Sequence, residues 1–397
     1  MRRPGVLWPS TTEAQRLEPP VPCSTRKRLR SIYLWAGLVL LGALVSACGS
    51  SQEERAASAS AQGAGAGPVA GPTIHETTGA GEPRAVALRQ QLREQARLWN
   101  VGYPMLTESV EVCRGRTRPN LGFVAWTRWD IDPYYRVASM GVFGLDDRLR
   151  VVHVLPGSPA AAASLLAGDE IEAIGDHRMP AGMTASAALE LALQREAVVG
   201  VAQTIRVRRG EARHAFAIVP RAQCDVDLIV TGSDQVNAFN YGRSIYVTHG
   251  LMRLLSDDRE LAALAAHFVG HGLLEHEARS DEETMAGQLK THIDDLRWAL
   301  LGEEKKSEMM KAGIWPGSRP YTAKQEFHAD RAALELMARA GYPMEALVGV
   351  WRRLAEVQHG RLLRQYHALS QERQAAVQDI LTQVRSEAGA GGPEPGS

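Results

Sequence analysis

Apolar positions change rhythm several times along the chain, and each change marks an element. From Ile32 to Val45 they form one unbroken run. Val86, Leu88, Leu92, Ala96 and Leu98 recur at helical spacing and predict an amphipathic helix. Aromatic and β-branched residues between Leu121 and Tyr135 predict strands. Over 141–220 short units alternate: strands at Val151–Leu155 and Ile171–Ile174, a short helix at Ala160–Leu166, and a helix at Thr184–Gln194. A hairpin of Thr204–Val207 and Ala215–Val219 around Arg209-Gly210 completes that stretch. Helical spacing returns after Asp257, which can cap a helix whose third residue is Glu260. Leu261, Leu264, Ala265 and Phe268 carry it towards Leu274.

Composition separates folding from non-folding parts. Residues 49–83 are dominated by Gly, Ala, Ser and Pro and read as a linker that cannot bury a core, and 386–397 read as a similar tail. The 45 basic and 45 acidic residues cancel, so global charge gives no support for a nucleic-acid partner. Arg26-Lys27-Arg28-Leu29-Arg30 precedes the apolar run, and Val45-Ser46-Ala47-Cys48 follows it. That run is shorter than the ~20 residues of a spanning helix and has the form of a secretory signal. Small residues before Cys48 resemble a lipobox, which predicts lipidation of Cys48 and makes residues 1–48 a lipoprotein signal; the alternative is an uncleaved anchor around an incidental cysteine. Gly49 after the cysteine resembles sorting to the outer rather than the inner membrane. With Cys23 removed, Cys113 and Cys224 remain, either as a disulfide pair in an oxidising compartment or as two separately buried thiols.

The chemistry is concentrated in two strings. His267-Phe268-Val269-Gly270-His271 puts two imidazoles on one helical face, where both can reach one ion. Glu326-Phe327-His328-Ala329-Asp330 offers a third donor in Glu326. Two His, one Glu and an open position form the donor set of a catalytic zinc. The peptidase motif H-E-x-x-H places a general base after the first His. Here that position is Phe268, which has no proton acceptor. Glu275 lies two helical turns beyond His267 and Glu277 points elsewhere; His328, next to the third donor, could approach the site, but helical geometry gives no reason to expect it at the water. His249, His276 and His153 read as rim, structural and strand residues, and Glu303–Tyr321 as a lid-like or solvated connection.

Two resemblances extend this reading. Pro156-Gly157-Ser158-Pro159-Ala160, with Leu165, Gly168, Asp169 and Ile171, resembles a PDZ domain of the bacterial protease type over 141–220. It implies a peptide added between the segment after Met140-Gly141-Val142-Phe143 and the helix of Thr184–Gln194, with Gly141, Val142 and Phe143 as peptide-binding residues. The alternative is a PDZ unit serving as a spacer or internal clamp. Val236–Phe239, Ile245–Leu251, His267–His276, Glu326–Asp330 and Leu336–Tyr342 resemble the HtpX and CAAX-prenyl-protease family of zinc metallopeptidases. That resemblance implies one zinc ion, Glu326 as third ligand, and Asp330 orienting a ligand imidazole. The expected fold is α+β: a mostly helical zincin-type metallopeptidase domain in two segments, 84–140 and 221–385, with a β-rich PDZ domain inserted. Three functions follow. The first is a pseudo-peptidase that captures unfolded or C-terminal segments of envelope proteins. The second is an active zinc peptidase with a substitute base, and the third a metal-free PDZ interaction protein. The retained donors with a lost base favour the first, a periplasm-facing lipoprotein held to the membrane by its lipid.

Overall fold

The computed structural model describes residues 83–113, 115–241, 243–274, 303–311, 313–314, 320–356, 363, 367 and 370–390. Cys48, Glu275, His276 and Glu277 lie outside them. The architecture is α+β. A long helix, α1 (Pro83–Glu108), opens it and buries Leu88, Leu92, Ala96 and Leu98 of the pattern that predicts it, while Val86 is exposed.

The β-rich unit is a six-stranded sheet. Its path is β2 (Phe123–Trp126), β3 (Arg150–Val154), β4 (Glu170–Ile174), β6 (Gln203–Arg209) and β7 (Ala212–Ile218), with β5 (His177–Arg178) paired to β4. The short α3 (Pro159–Ala162) and α4 (Ala185–Glu196) cover its core of Leu149, Val151, Ile171, Ile174, Ile205 and Val207. Ser158 caps α3 by accepting from the Ala161 N–H. One boundary differs from expectation. The first strand, β2, precedes residue 141 and comes from the segment assigned to the peptidase domain. Gly141, Val142 and Phe143 end α2 (Arg136–Phe143), which Gly144 closes in the left-handed conformation at φ 64°, and the strand that follows them is β3. Ala138, Val142 and Leu145 have helical spacing and pack with Leu88, Leu92 and Trp126, so tertiary contact with α1 and β2 decides the conformation. Among the described residues the edge strands of this sheet are β2, which lies beside β3, and β7.

The helical unit surrounds a three-stranded sheet, β10 (Ala238–Tyr241), β11 (Ser244–Thr248) and β9 (Asp227–Thr231), with β11 parallel to β9. A short α5 (His249–Leu254) leads into α6 (Asp258–Leu273). Asp257 caps α6 by accepting from the Arg259 N–H, and Leu261 through His271 are buried without interruption. Then come α7 (Glu303–Lys311), α8 (Ala323–Arg339), α9 (Glu345–Glu356) and α10 (Gln371–Ala390). Thr322 and Gln325 form a capping box that starts α8. Part of the expected connection from Glu303 is thus the helix α7. The two-stranded ladder of β1 (Thr117–Asn120) and β8 (Arg221–Cys224) joins the chain on either side of the β-rich unit. Cys113 and Cys224 face each other there with Cα atoms 5.6 Å apart, a separation suited to a disulfide. Among the described residues, no helix is long and apolar enough to cross a membrane.

Candidate metal centre

His267 and His271 project from one face of α6, and Glu326 projects from the first turn of α8. The two helices approach closely because α6 carries Gly270 at the contact: a Cβ there would lie 2.7 Å from the Ala329 carbonyl oxygen. The three expected donors are thereby brought together. A fourth, His367, joins them, and all four donor atoms lie within 4.8 Å of one another in a fully buried group.

The spacing suits a small cation. His267 Nε2 is 3.0 Å from His271 Nε2, 3.3 Å from His367 Nδ1 and 3.5 Å from Glu326 Oε2. His271 Nε2 lies 3.9 Å from Glu326 Oε2, and His367 Nδ1 lies 2.9 Å from Glu326 Oε1. Ligands about 2.0–2.1 Å from a tetrahedral zinc are roughly 3.3 Å apart, the middle of this range. Neither oxygen of the buried Glu326 carboxylate has a well-aligned hydrogen bond, despite the ionic contacts around it. With Arg373 Nη2 at 2.7 Å and His367 Nδ1 at 2.9 Å, this buried carboxylate still has lone pairs that a cation among the imidazoles could take up.

Protonation states agree with ligation. Burial and the neighbouring His267 push the His271 pKa well below its ordinary value. Burial also lowers that of His367, against the opposing charge of Glu326. For Glu326 burial opposes ionisation, but the imidazoles of His367, His271 and His267 outweigh it and hold the carboxyl below the usual range. Neutral His271 and His367 beside an ionised Glu326 are the forms that bind a metal without first losing protons.

A second layer fixes the donors. Asp330, one helical turn after Glu326, lies 2.8 Å from His267 Nδ1, which leaves Nε2 for the centre. Arg373 of α10 reaches Asp330 through Nε and Nη2, each 2.9 Å from a different oxygen, and its Nη2 is 2.7 Å from Glu326 Oε2. Trp351 of α9 donates Nε1–H to Asp330 at 3.2 Å and lies under the Arg373 guanidinium at 4.1 Å. Tyr321 stacks on the His271 ring at 3.8 Å. Sequence reasoning does not reach His367, Arg373, Trp351 or Tyr321, because no local spacing ties them to the α6 pair.

Phe268 is fully buried, with its ring 4.9 Å from His367 and 5.5 Å from His267. Its side chain belongs to the helical core, and its carbonyl accepts from Asn240 Nδ2 at 2.8 Å. His328 is exposed on α8. His249 pairs with Glu94 on α1, and His153 packs inside β3, both away from the centre.

Residues 205–381 match Peptidase family M48. That segment contains all four donors, Phe268 and the Asp330–Arg373 pair. Among curated relatives, the beta-barrel assembly-enhancing protease of Yersinia pestis is 28% identical over 134 residues, covering 32% of this chain and 28% of the relative. The protein of that name from Escherichia coli K12 is 27% identical over 122 residues, covering 29% of this chain and 25% of the relative. The chain thus spans about a quarter of the length of these relatives. Among solved structures, the HtrA3 PDZ domain bound to a phage-derived ligand is 22% identical. It covers 27% of this chain and 88% of that one, with a TM-score of 0.20.

Proposed function

We propose that this protein is a zinc-binding pseudo-peptidase of the bacterial cell envelope, which captures extended polypeptide and cuts it slowly or not at all. The single observation that carries the reading is the closure of the M48-like centre: His367 supplies a fourth protein donor while Phe268 stands in place of the base. Structural zinc sites use four protein donors, whereas catalytic ones keep a position open. A zinc ion held by His267, His271, Glu326 and His367 would supply Lewis acidity to a substrate carbonyl only if one of those donors withdrew.

The chain's own residues are arranged to hold rather than to turn over. Asp330 and Arg373 set the tautomer of His267 and the orientation of Glu326. Phe268 offers an apolar ring where a carboxylate would accept a proton, and general-base groups are typically worth about 10²–10⁴ in rate. Capture falls to the β-rich unit. Its free edge β2, with α4 beside the sheet, supports addition of an extended segment by backbone hydrogen bonds. The lipobox ending at Cys48 supports a lipid-anchored, periplasm-facing protein, with the outer membrane favoured by Gly49.

Two measurements test the proposal. Elemental analysis of the purified chain should give about one zinc per molecule, lost in His267→Ala. On an unfolded protein substrate, Phe268→Glu combined with His367→Ala should cut much faster than the parent chain, and Phe268→Glu alone should gain less. Robust cutting by the parent chain would mean that a substitute base operates. Absence of zinc would leave the β-rich unit as the working part.

A further inference from the structure

The helix α2 turns an apolar face outward. Tyr134, Val137 and Met140 are 56%, 77% and 47% exposed, while Ala138, Ser139 and Val142 on the opposite side are buried. At helical spacing Val137, Met140 and Gly141 occupy one sector of α2, and Tyr134 lies in the turn that leads into it. An ordinary surface helix has the reverse pattern, and large apolar side chains gathered in water mark an interaction surface.

Charge and position indicate what covers it. The Arg84 guanidinium sits 4.2 Å above the Tyr134 ring, and Arg136 flanks Val137 in sequence while holding to the Ile131 carbonyl and the Trp129 ring. Asp132 turns its carboxylate to the Tyr134 N–H at 2.8 Å. An exposed apolar group that includes an aromatic ring and has cationic neighbours suits the headgroup boundary of an anionic bilayer. Arg84 also belongs to the first turn of α1, so this face lies where the chain arrives from Cys48. Residues 49–82 are all that separate that cysteine from Pro83, so an anchored chain presents this surface to the membrane at a high local concentration.

We propose that Val137 and Met140 of α2 and Tyr134 of the turn before it, with Arg84 and Arg136, form a membrane-docking surface that seats the β-rich unit on an anionic phospholipid bilayer. The proposal rests on the lipid-anchor reading, and docking would add a second membrane contact to a single anchor. It would also fix the direction in which the free edge of β2 faces.

The test supplies the tether artificially, so that it does not depend on lipidation. The chain from Gly49 onward, carrying an N-terminal hexahistidine, is held on vesicles of phosphatidylethanolamine, phosphatidylglycerol and a small fraction of nickel-chelating lipid. An environment-sensitive fluorophore is placed at Val137→Cys and, as a control, at Arg213→Cys on β7. The label at 137 should shift to the blue and be quenched severalfold more by a lipid-borne quencher than the label at 213. Exchanging Tyr134→Ser and Met140→Asp, both at exposed positions, should abolish the difference while the far-UV spectrum stays unchanged. A label at 137 that reads as water, like the one at 213, overturns the proposal. So does a shift that survives the double exchange. The anchor reading is tested separately by the mass of Cys48-containing peptide from cells, and its failure would leave the vesicle result standing by itself.

Discussion

Gly270 of α6 and Ala329 of α8 meet backbone to backbone, and a Cβ at Gly270 would lie 2.7 Å from the Ala329 carbonyl oxygen and 3.2 Å from its Cα. The obstruction is main chain, so a side chain could not move to relieve it. This contact sets the distance between His267 and His271 on one helix and Glu326 on the other. Gly270→Ala should therefore cost about 1–3 kcal/mol by overpacking and reduce zinc content as the helices separate. Gly349 on α9 provides the contrast, since a Cβ added there would meet nothing within 4 Å. Gly349→Ala should leave zinc content unchanged and stabilise by up to about 1 kcal/mol through helix propensity. Urea denaturation and elemental analysis of both variants check this pair of outcomes.

Arg373 is the cation shared by Glu326 and Asp330, and all three side chains are buried. Arg373→Met would leave two ionised carboxylates against a single layer of imidazoles. Breaking a buried ion pair by removing one partner typically costs about 3–5 kcal/mol, and a loss of that size is expected in metal-free protein. Added zinc should recover part of it in Arg373→Met, because the ion takes over the charge of Glu326. Arg373→Lys should fall between, since an ammonium keeps the charge but cannot span both carboxylates. Denaturation midpoints with and without zinc decide the matter.

How much of this is legible in the sequence depends on the range of the interaction. The α6 ligand pair is readable because i and i+4 positions and the Asp257 cap are local. Glu326 and Asp330 are readable for the same reason, once a known family's pattern singles them out. His367 is not, since it reaches the centre only through the tertiary fold and nothing near it repeats the α6 spacing. Arg373 is invisible in the same way: its role is defined by Asp330 and Trp351 on two other helices. The helix that ends at Gly141, Val142 and Phe143 is hidden for a related reason. The burial of Ala138, Val142 and Leu145 against α1 and β2 selects it. Membership of β2 in the six-stranded sheet is likewise hidden, because its partner β3 lies beyond the whole of α2.

Cys113 and Cys224 sit where the chain leaves and re-enters the helical unit, 111 residues apart, next to the ladder that pairs Thr117 with Cys224. Closing a loop of that length removes entropy from the unfolded chain worth up to about 4–5 kcal/mol. Oxidised protein should therefore lose several kcal/mol of stability on reduction. The Cys113→Ser, Cys224→Ser double variant should match the reduced protein and ignore reductant. Equal stability with and without reductant, together with two titratable thiols in the unreduced, unfolded protein, would show two free cysteines instead.

His153 gives a pH dependence that is separate from the metal centre. It is buried in β3, stacks on Trp99, and has Nε2 2.7 Å from Asn100 Oδ1. Burial lowers its pKa to about 4. In the unfolded chain an imidazole titrates near about 6.5, so between these values the unfolded state holds more protons than the folded one. Stability is then fully present above about 6.5 and drains away as the pH falls towards 4. A shift of this size corresponds to about 3 kcal/mol. His271 and His367 have lowered values too, and Glu326 and Asp330 contribute at lower pH, so the parent curve alone does not isolate His153. His153→Gln does, because it retains a group able to donate to Asn100 and cannot titrate. The stability difference between parent and variant should be constant above pH 7 and shift by about 3 kcal/mol in the variant's favour on going down to pH 4, read from urea titrations at each pH. Parallel curves across that interval would mean that His153 is protonated in the folded protein.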